Sequence, residues 1–97
     1  MKALFIAYNQ AYGDEIVALL EARGQRGFTQ WQDIGGRGSR DGEPHLGNHA
    51  WPVMNCAILS VIPDELAAPL LEDLRQKDAQ ARNLGLRAYT WNIEEAL

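Results

Sequence analysis

The stretch at 53–62, VMNCAILSVI, is apolar on both of its alternating faces. Met54, Cys56, Ile58 and Ile62 fall on one side of an extended chain; Val53, Ala57, Leu59 and Val61 fall on the other. The run at 3–8 behaves alike, with Ala3, Phe5 and Ala7 against Leu4, Ile6 and Tyr8. A sheet built from such strands cannot leave one face in water. Both faces need cover, and this demand limits the fold more than any other feature of the chain.

The remaining elements follow from spacing. Residues 2–8, KALFIAY, read as a strand. Tyr12, Ile16, Leu19 and Leu20 then recur at helical intervals, and Asp14 and Glu15 suit the electropositive first turn. Gly24 is the expected stop. Residues 27–34, GFTQWQDI, read as a second, partly polar strand. After 53–62 comes a helix over 63–82, with Leu66, Leu70, Leu71 and Leu74 as its buried stripe and Asp64 as its expected N-cap. Pro69 lies inside it and is expected to kink it or disturb its first turns. Gly85 ends that segment, and residues 86–93 read as the last strand.

The order is strand, helix, strand, long loop, strand, helix, strand. Right-handed crossovers place both helices on one face of a four-stranded antiparallel sheet. The expected fold is therefore α+β, ferredoxin-like βαββαβ, as one domain over 1–97. Two helices cover one face only. The five residues that follow Asn92 are too few to cover the other. A second copy of the chain is the economical cover, so the strand pattern predicts a homo-oligomer.

Charge and motif content exclude several functions. Nine basic and thirteen acidic residues give a net charge of −4, with no basic stripe of the kind that binds a phosphate backbone. Nucleic acid is not an expected partner. No apolar run is long enough to span a bilayer or to form a signal-peptide core, so a cytoplasmic protein is expected. No Walker loop and no nucleophile–base arrangement is suggested, so an enzyme is not expected. Cys56, alone in an apolar strand, reads as an inert buried thiol. Asn55 is the odd polar residue of that strand and is expected to satisfy a backbone group at the base of the loop.

The loop itself, residues 35–52, is eighteen residues with five glycines and no periodicity. Connections beyond about 12–15 residues are uncommon in compact domains and usually functional or disordered. The amides of Gly36, Gly38 and Gly42 could approach an anion closely, with Arg37 and Arg40 adding charge. His45 and His49, with Asp41 and Glu43 nearby, offer imidazole and carboxylate ligands suited to zinc, copper or nickel. The alternative for both histidines is solvated loop residues bonded to backbone. Trp31 and Trp51 flank the loop, where they could stack on a planar ligand; with Trp91 they equally suit core and interface packing.

Three short matches, in order along this pattern, give the chain a resemblance to the PII-like signalling proteins. Gly36-Arg37-Gly38-Ser39-Arg40-Asp41-Gly42 is similar to the G-F-G-R-Q-x-G pattern at the base of the family's T-loop, with the glycine spacing kept. Val61-Ile62-Pro63-Asp64-Glu65 resembles the family's V-V-P-D-E. The run from Gly85 to Glu95 resembles its last strand, G-K-I-F-V-x-P-V-E-E, in outline. The resemblance covers most of the chain. It implies a homotrimer with sheets facing a central core, and a non-catalytic sensor with a small ligand in clefts between subunits. Gly36, Arg37, Gly38, Arg40, Gly42 and Arg87 are the implied ligand-binding residues. It also implies a partner, such as a transporter or enzyme, met through loop 35–52. The chain departs from the family at the nucleotide motif G-D-G-K, where it reads ARNLGLR, with Arg87 one residue away from the lysine position. Arg40 replaces the T-loop glutamine. These departures speak against adenine nucleotide. The ligand stays open between a nucleotide and a divalent metal, the latter as in CutA-type trimers through His45 and His49. A plain protein-interaction module is the third alternative.

Overall fold

A computed structural model describes residues 1–37, 44–47, 53–81 and 85–97. The elements are β1 (Lys2–Asn9), a 3-10 turn (Gln10–Tyr12), α1 (Gly13–Ala22), β2 (Thr29–Ile34), β3 (Gly36–Arg37), β4 (Pro44–His45), β5 (Asn55–Ile62), α2 (Asp64–Gln80) and β6 (Arg87–Asn92). The main sheet has the order β2-β5-β1-β6, antiparallel throughout. This is the expected ferredoxin-like α+β arrangement. Among the described residues no helix is long and apolar enough to cross a membrane.

The strand alternation sorts the faces as their sequence demands. Leu4, Ile6 and Tyr8 of β1 and Cys56, Ile58 and Ile62 of β5 turn to the helices, where they meet Ile16 and Leu20 of α1 and Leu70 and Leu74 of α2. Burying each such side chain contributes about 1.5–3 kcal/mol. The helices are tied together at the surface as well. The Arg23 guanidinium donates to both carboxylate oxygens of Asp73, at 2.7 and 3.0 Å. Lys77 pairs with Glu15 and lies over the Tyr12 ring.

Arg23 has a consequence for acid stability. Its hydrogen bonds hold the Asp73 carboxyl below the usual carboxylate range. The folded value lies below the unfolded value of about 3.9, so the contribution is complete above that pH and is lost as pH falls through the folded value. Melting temperature should therefore fall between pH 5 and pH 2, less steeply in Asp73→Asn. An unchanged slope in that variant would remove Asp73 from the account. Asp64 is shifted the same way by the N-terminal ammonium, 2.9 Å from its carboxylate.

Asp64 is not the N-cap that its position suggested. Pro63, in extended conformation, occupies that place, and Asp64 is the first helical residue. α2 is continuous through Pro69. The missing proline N–H removes the i+4 donor of the Glu65 carbonyl, and the Leu66 amide closes a tight first turn on the Pro63 carbonyl at 3.0 Å.

β2 carries a bulge beside the loop. Trp31 pairs with Ala57 and Ile34 with Asn55, so Gln32 and Asp33 together stand opposite Cys56 alone. Asp33 takes the extra turn at φ 57°, a conformation open to aspartate but costly for branched side chains. Asp33→Gly should leave stability within about 1 kcal/mol of the parent, whereas Asp33→Val should lose about 1–3 kcal/mol in chemical denaturation. Equal losses would mean that the Asp33 side chain, not its backbone, matters.

Residues 35–52 show no periodicity, yet two pieces of them pair. Gly36 stands opposite His45 and Arg37 opposite Pro44, making a separate two-stranded sheet. Two-residue strands are too short to leave a sequence signature.

Candidate functional site

The register gathers the candidate residues at one end of the main sheet. Ala7 is level with Ala57 and Arg87, Ala57 with Trp31, and Asn55 with both Asn9 and Ile34. The β3–β4 pair leaves the sheet at this end. Of the residues expected to bind ligand, Gly36, Arg37 and Arg87 therefore share this region. Gly38, Arg40 and Gly42 lie outside the described residues, as do His49, Asp41, Glu43 and Trp51.

Arg87 opens β6 and is half-buried, with Nη1 donating to the Leu86 carbonyl at 2.7 Å. It borders a groove of about 240 Å³ whose apolar wall is Leu71, Leu74 and Leu86, with Arg75 and Asp78 at the rim. Arg37 is exposed on β3. Two guanidinium groups and a glycine backbone at one end of a sheet suit an anionic ligand.

His45 is not a solvated loop residue. It is 1 % exposed, and its Nδ1 lies 2.6 Å from Asn55 Oδ1. A carbonyl oxygen only accepts, so Nδ1–H donates. Asn55, 4 % exposed, thus serves a side chain at the loop base. Two glycines complete the arrangement. A methyl group on Gly36 would come within 2.7 Å of Asn55 Nδ2, and one on Gly85 within 3.0 Å of His45 Cε1. Sequence reasoning singled out Asn55 as odd but had no means of joining it to His45 and Gly85. Among the described residues no three His, Cys, Asp or Glu side chains converge as metal ligands.

Cys56 sits beside this cluster on the helix side. Gln30 Nε2 donates to the Tyr8 hydroxyl at 3.0 Å, and that hydroxyl shares a hydrogen bond with the thiol. Burial pushes both the thiol and the phenol above their ordinary values. A thiol held protonated is a poor nucleophile, in keeping with the inert reading. Between α1 and β2 a polar cleft of about 310 Å³ reaches Cys56, with Gln10, Gln30, Gln32, Asp14 and Glu21 on its walls.

The face of the sheet away from the helices carries Trp31, Leu59, Phe5, Tyr89, Val61 and Trp91 in adjoining rows. Trp31, Val61, Tyr89 and Trp91 are each more than two-fifths exposed. The uncovered apolar face expected from the strand pattern is present.

No protein-family profile and no curated protein matches the chain in sequence. Solved structures do match it in shape. CPII, a nitrogen regulatory PII-like protein from Thiomonas intermedia K12 solved with ADP, AMP and bicarbonate, superposes with a TM-score of 0.72 at 21% identity, over 97% of this chain and 88% of its own. The apo form of CPII gives a TM-score of 0.67 at 22% identity, over 95% of this chain and 89% of its own. A protein from Thermus thermophilus, provisionally classed as PII-like signalling, gives 0.67 at 20% identity, over 95% and 84%. The chain has the fold of the PII-like signalling proteins.

Proposed function

We propose that the chain is a non-catalytic PII-like regulatory protein. In this reading it is a homotrimer closed by the apolar sheet faces, with ADP or a related adenine nucleotide bound in the clefts between subunits. Loop 35–52 then reports occupancy to a transporter or enzyme partner. One observation carries the reading. The fold of a protein solved with ADP, AMP and bicarbonate extends over 97% of this chain, and within it Gly36, Arg37, Gly85 and Arg87 come to one end of the sheet. Arg87 supplies a cation one residue away from the place of the missing family lysine. Its fork of donors can take two phosphate oxygens at once.

Calorimetric titration with ADP tests this. The parent protein should give heat, and Arg87→Ala should bind about 10–100-fold more weakly, the loss expected for one charged hydrogen-bonding partner. No heat from the parent, or equal affinity in the variant, would remove the nucleotide from the reading or Arg87 from the site.

A further inference from the structure

We infer that the His45–Asn55 pair couples the base of the loop to the segment entering β6, so that ligand beside Arg87 and the seating of the β3–β4 pair influence each other. The inference rests on the nucleotide reading above and gives that site its means of regulation. The β3–β4 sheet is held by two residue pairs, Gly36 with His45 and Arg37 with Pro44. So short a ribbon has no independent stability in water. Buried side chains fasten it to the body instead. Asn55, the first residue of β5, accepts from His45 of β4 at 2.6 Å. The same amide group stands so close to Gly36 of β3 that a methyl there would come within 2.7 Å. On its other side the His45 ring lies against Gly85, two residues before Arg87, so close that a methyl group there would come within 3.0 Å of Cε1.

Four chain segments therefore meet through two side chains: β3, β4, β5 and the entry to β6. A buried hydrogen bond is either made or broken, and a broken one leaves two desolvated polar groups. The pair thus has two discrete states rather than a graded response. Gly85 cannot move toward β4 without displacing the imidazole, and displacement of the imidazole releases β4 from Asn55. A ligand held by Arg87 that fixes or shifts Gly85 biases this equilibrium, and by linkage the seated ribbon biases ligand affinity by the same factor.

Hydrogen–deuterium exchange over residues 36–37 and 44–47, with and without saturating ADP, tests the inference alongside ADP calorimetry. In the parent protein ADP should alter exchange in these two stretches about tenfold. His45→Leu and Asn55→Leu should still bind ADP, but exchange there should no longer depend on it. His45→Asn, whose amide can place a donor near the position of Nδ1, should restore part of the dependence. If the pair were merely structural, both Leu variants would raise exchange equally with and without ADP and keep the parental ADP effect; that result overturns the coupling. Parent protein that binds ADP without altering exchange in either stretch overturns it too. Failure of the parent to bind ADP is a different outcome, which overturns the nucleotide reading and the coupling with it. Should Asn55→Leu fail to fold, the His45→Leu and His45→Asn comparison alone decides.

Discussion

Light scattering should return a particle of three times the 10.8 kDa chain mass, and Leu59→Arg should return a folded single chain. Leu59 is the place to ask because of its position in the sheet. It pairs with Phe5 on one side and Thr29 on the other, and Tyr89 lies beyond Phe5 in the same row. Above and below are Trp31 and Trp91, 45 and 49 % exposed. A monomer would leave all of this in water. An arginine at the centre of the face would have to be desolvated on assembly without a partner, at a cost of about 3–5 kcal/mol. That is a rise of two to nearly four orders of magnitude in the dissociation constant for each interface, about 10²–10⁴-fold. Leu59 is not among the side chains packed between sheet and helices. Far-ultraviolet circular dichroism of the variant should therefore stay close to that of the parent. The variant should also lose ADP binding, because the proposed clefts form only between subunits. A monomeric parent at tens of micromolar, or a variant that remains trimeric, would break the link between the two-sided strands and the assembly.

The strands that set this demand were legible because alternation is a local property. In VMNCAILSVI, the side to which Cys56, Ile58 and Ile62 turn, and the side left to Leu59 and Val61, follow from the pleat alone. The α2 stripe was legible for the same reason, with Leu70 and Leu74 buried and Leu66 and Leu71 beside them. Features that depend on contacts distant in sequence were not. Asp33 carries a bulge without any glycine to announce it. Asp64 has the chemistry of a cap, but a cap also needs extended backbone, and Pro63, at φ −60° and ψ 148°, already has it one residue earlier. His45 stands in a glycine-rich polar stretch, where a histidine reads as solvated or as a metal ligand. Its surroundings are made by Asn55, ten residues on, and by Gly85, forty residues on. Nothing in the loop itself encodes them.

Gly85 offers the second large effect, and a way to measure the His45 contact without any ligand. Its φ is +61°, so an alanine there bears the left-handed strain of about 1–2 kcal/mol. It also meets the imidazole at 3.0 Å, an overlap in a packed site that costs about 1–3 kcal/mol. Gly85→Ala should therefore lose roughly 2–5 kcal/mol in chemical denaturation at fixed protein concentration. Gly24 is the control. Its φ is +78° with nothing within 4 Å of a methyl group. Gly24→Ala should lose the strain alone, about 1 kcal/mol. The two contributions at position 85 then separate in a double-mutant cycle. His45→Ala costs stability by itself, because it opens a cavity and leaves Asn55 without its donor. On that background, however, the overlap is gone and only the backbone strain remains. Gly85→Ala should cost about 1–3 kcal/mol less in the His45→Ala chain than in the parent, while Gly24→Ala should cost the same in both. Strict additivity at position 85 would mean that the imidazole moves aside freely, and a ring that moves freely cannot transmit the position of Gly85 to the loop.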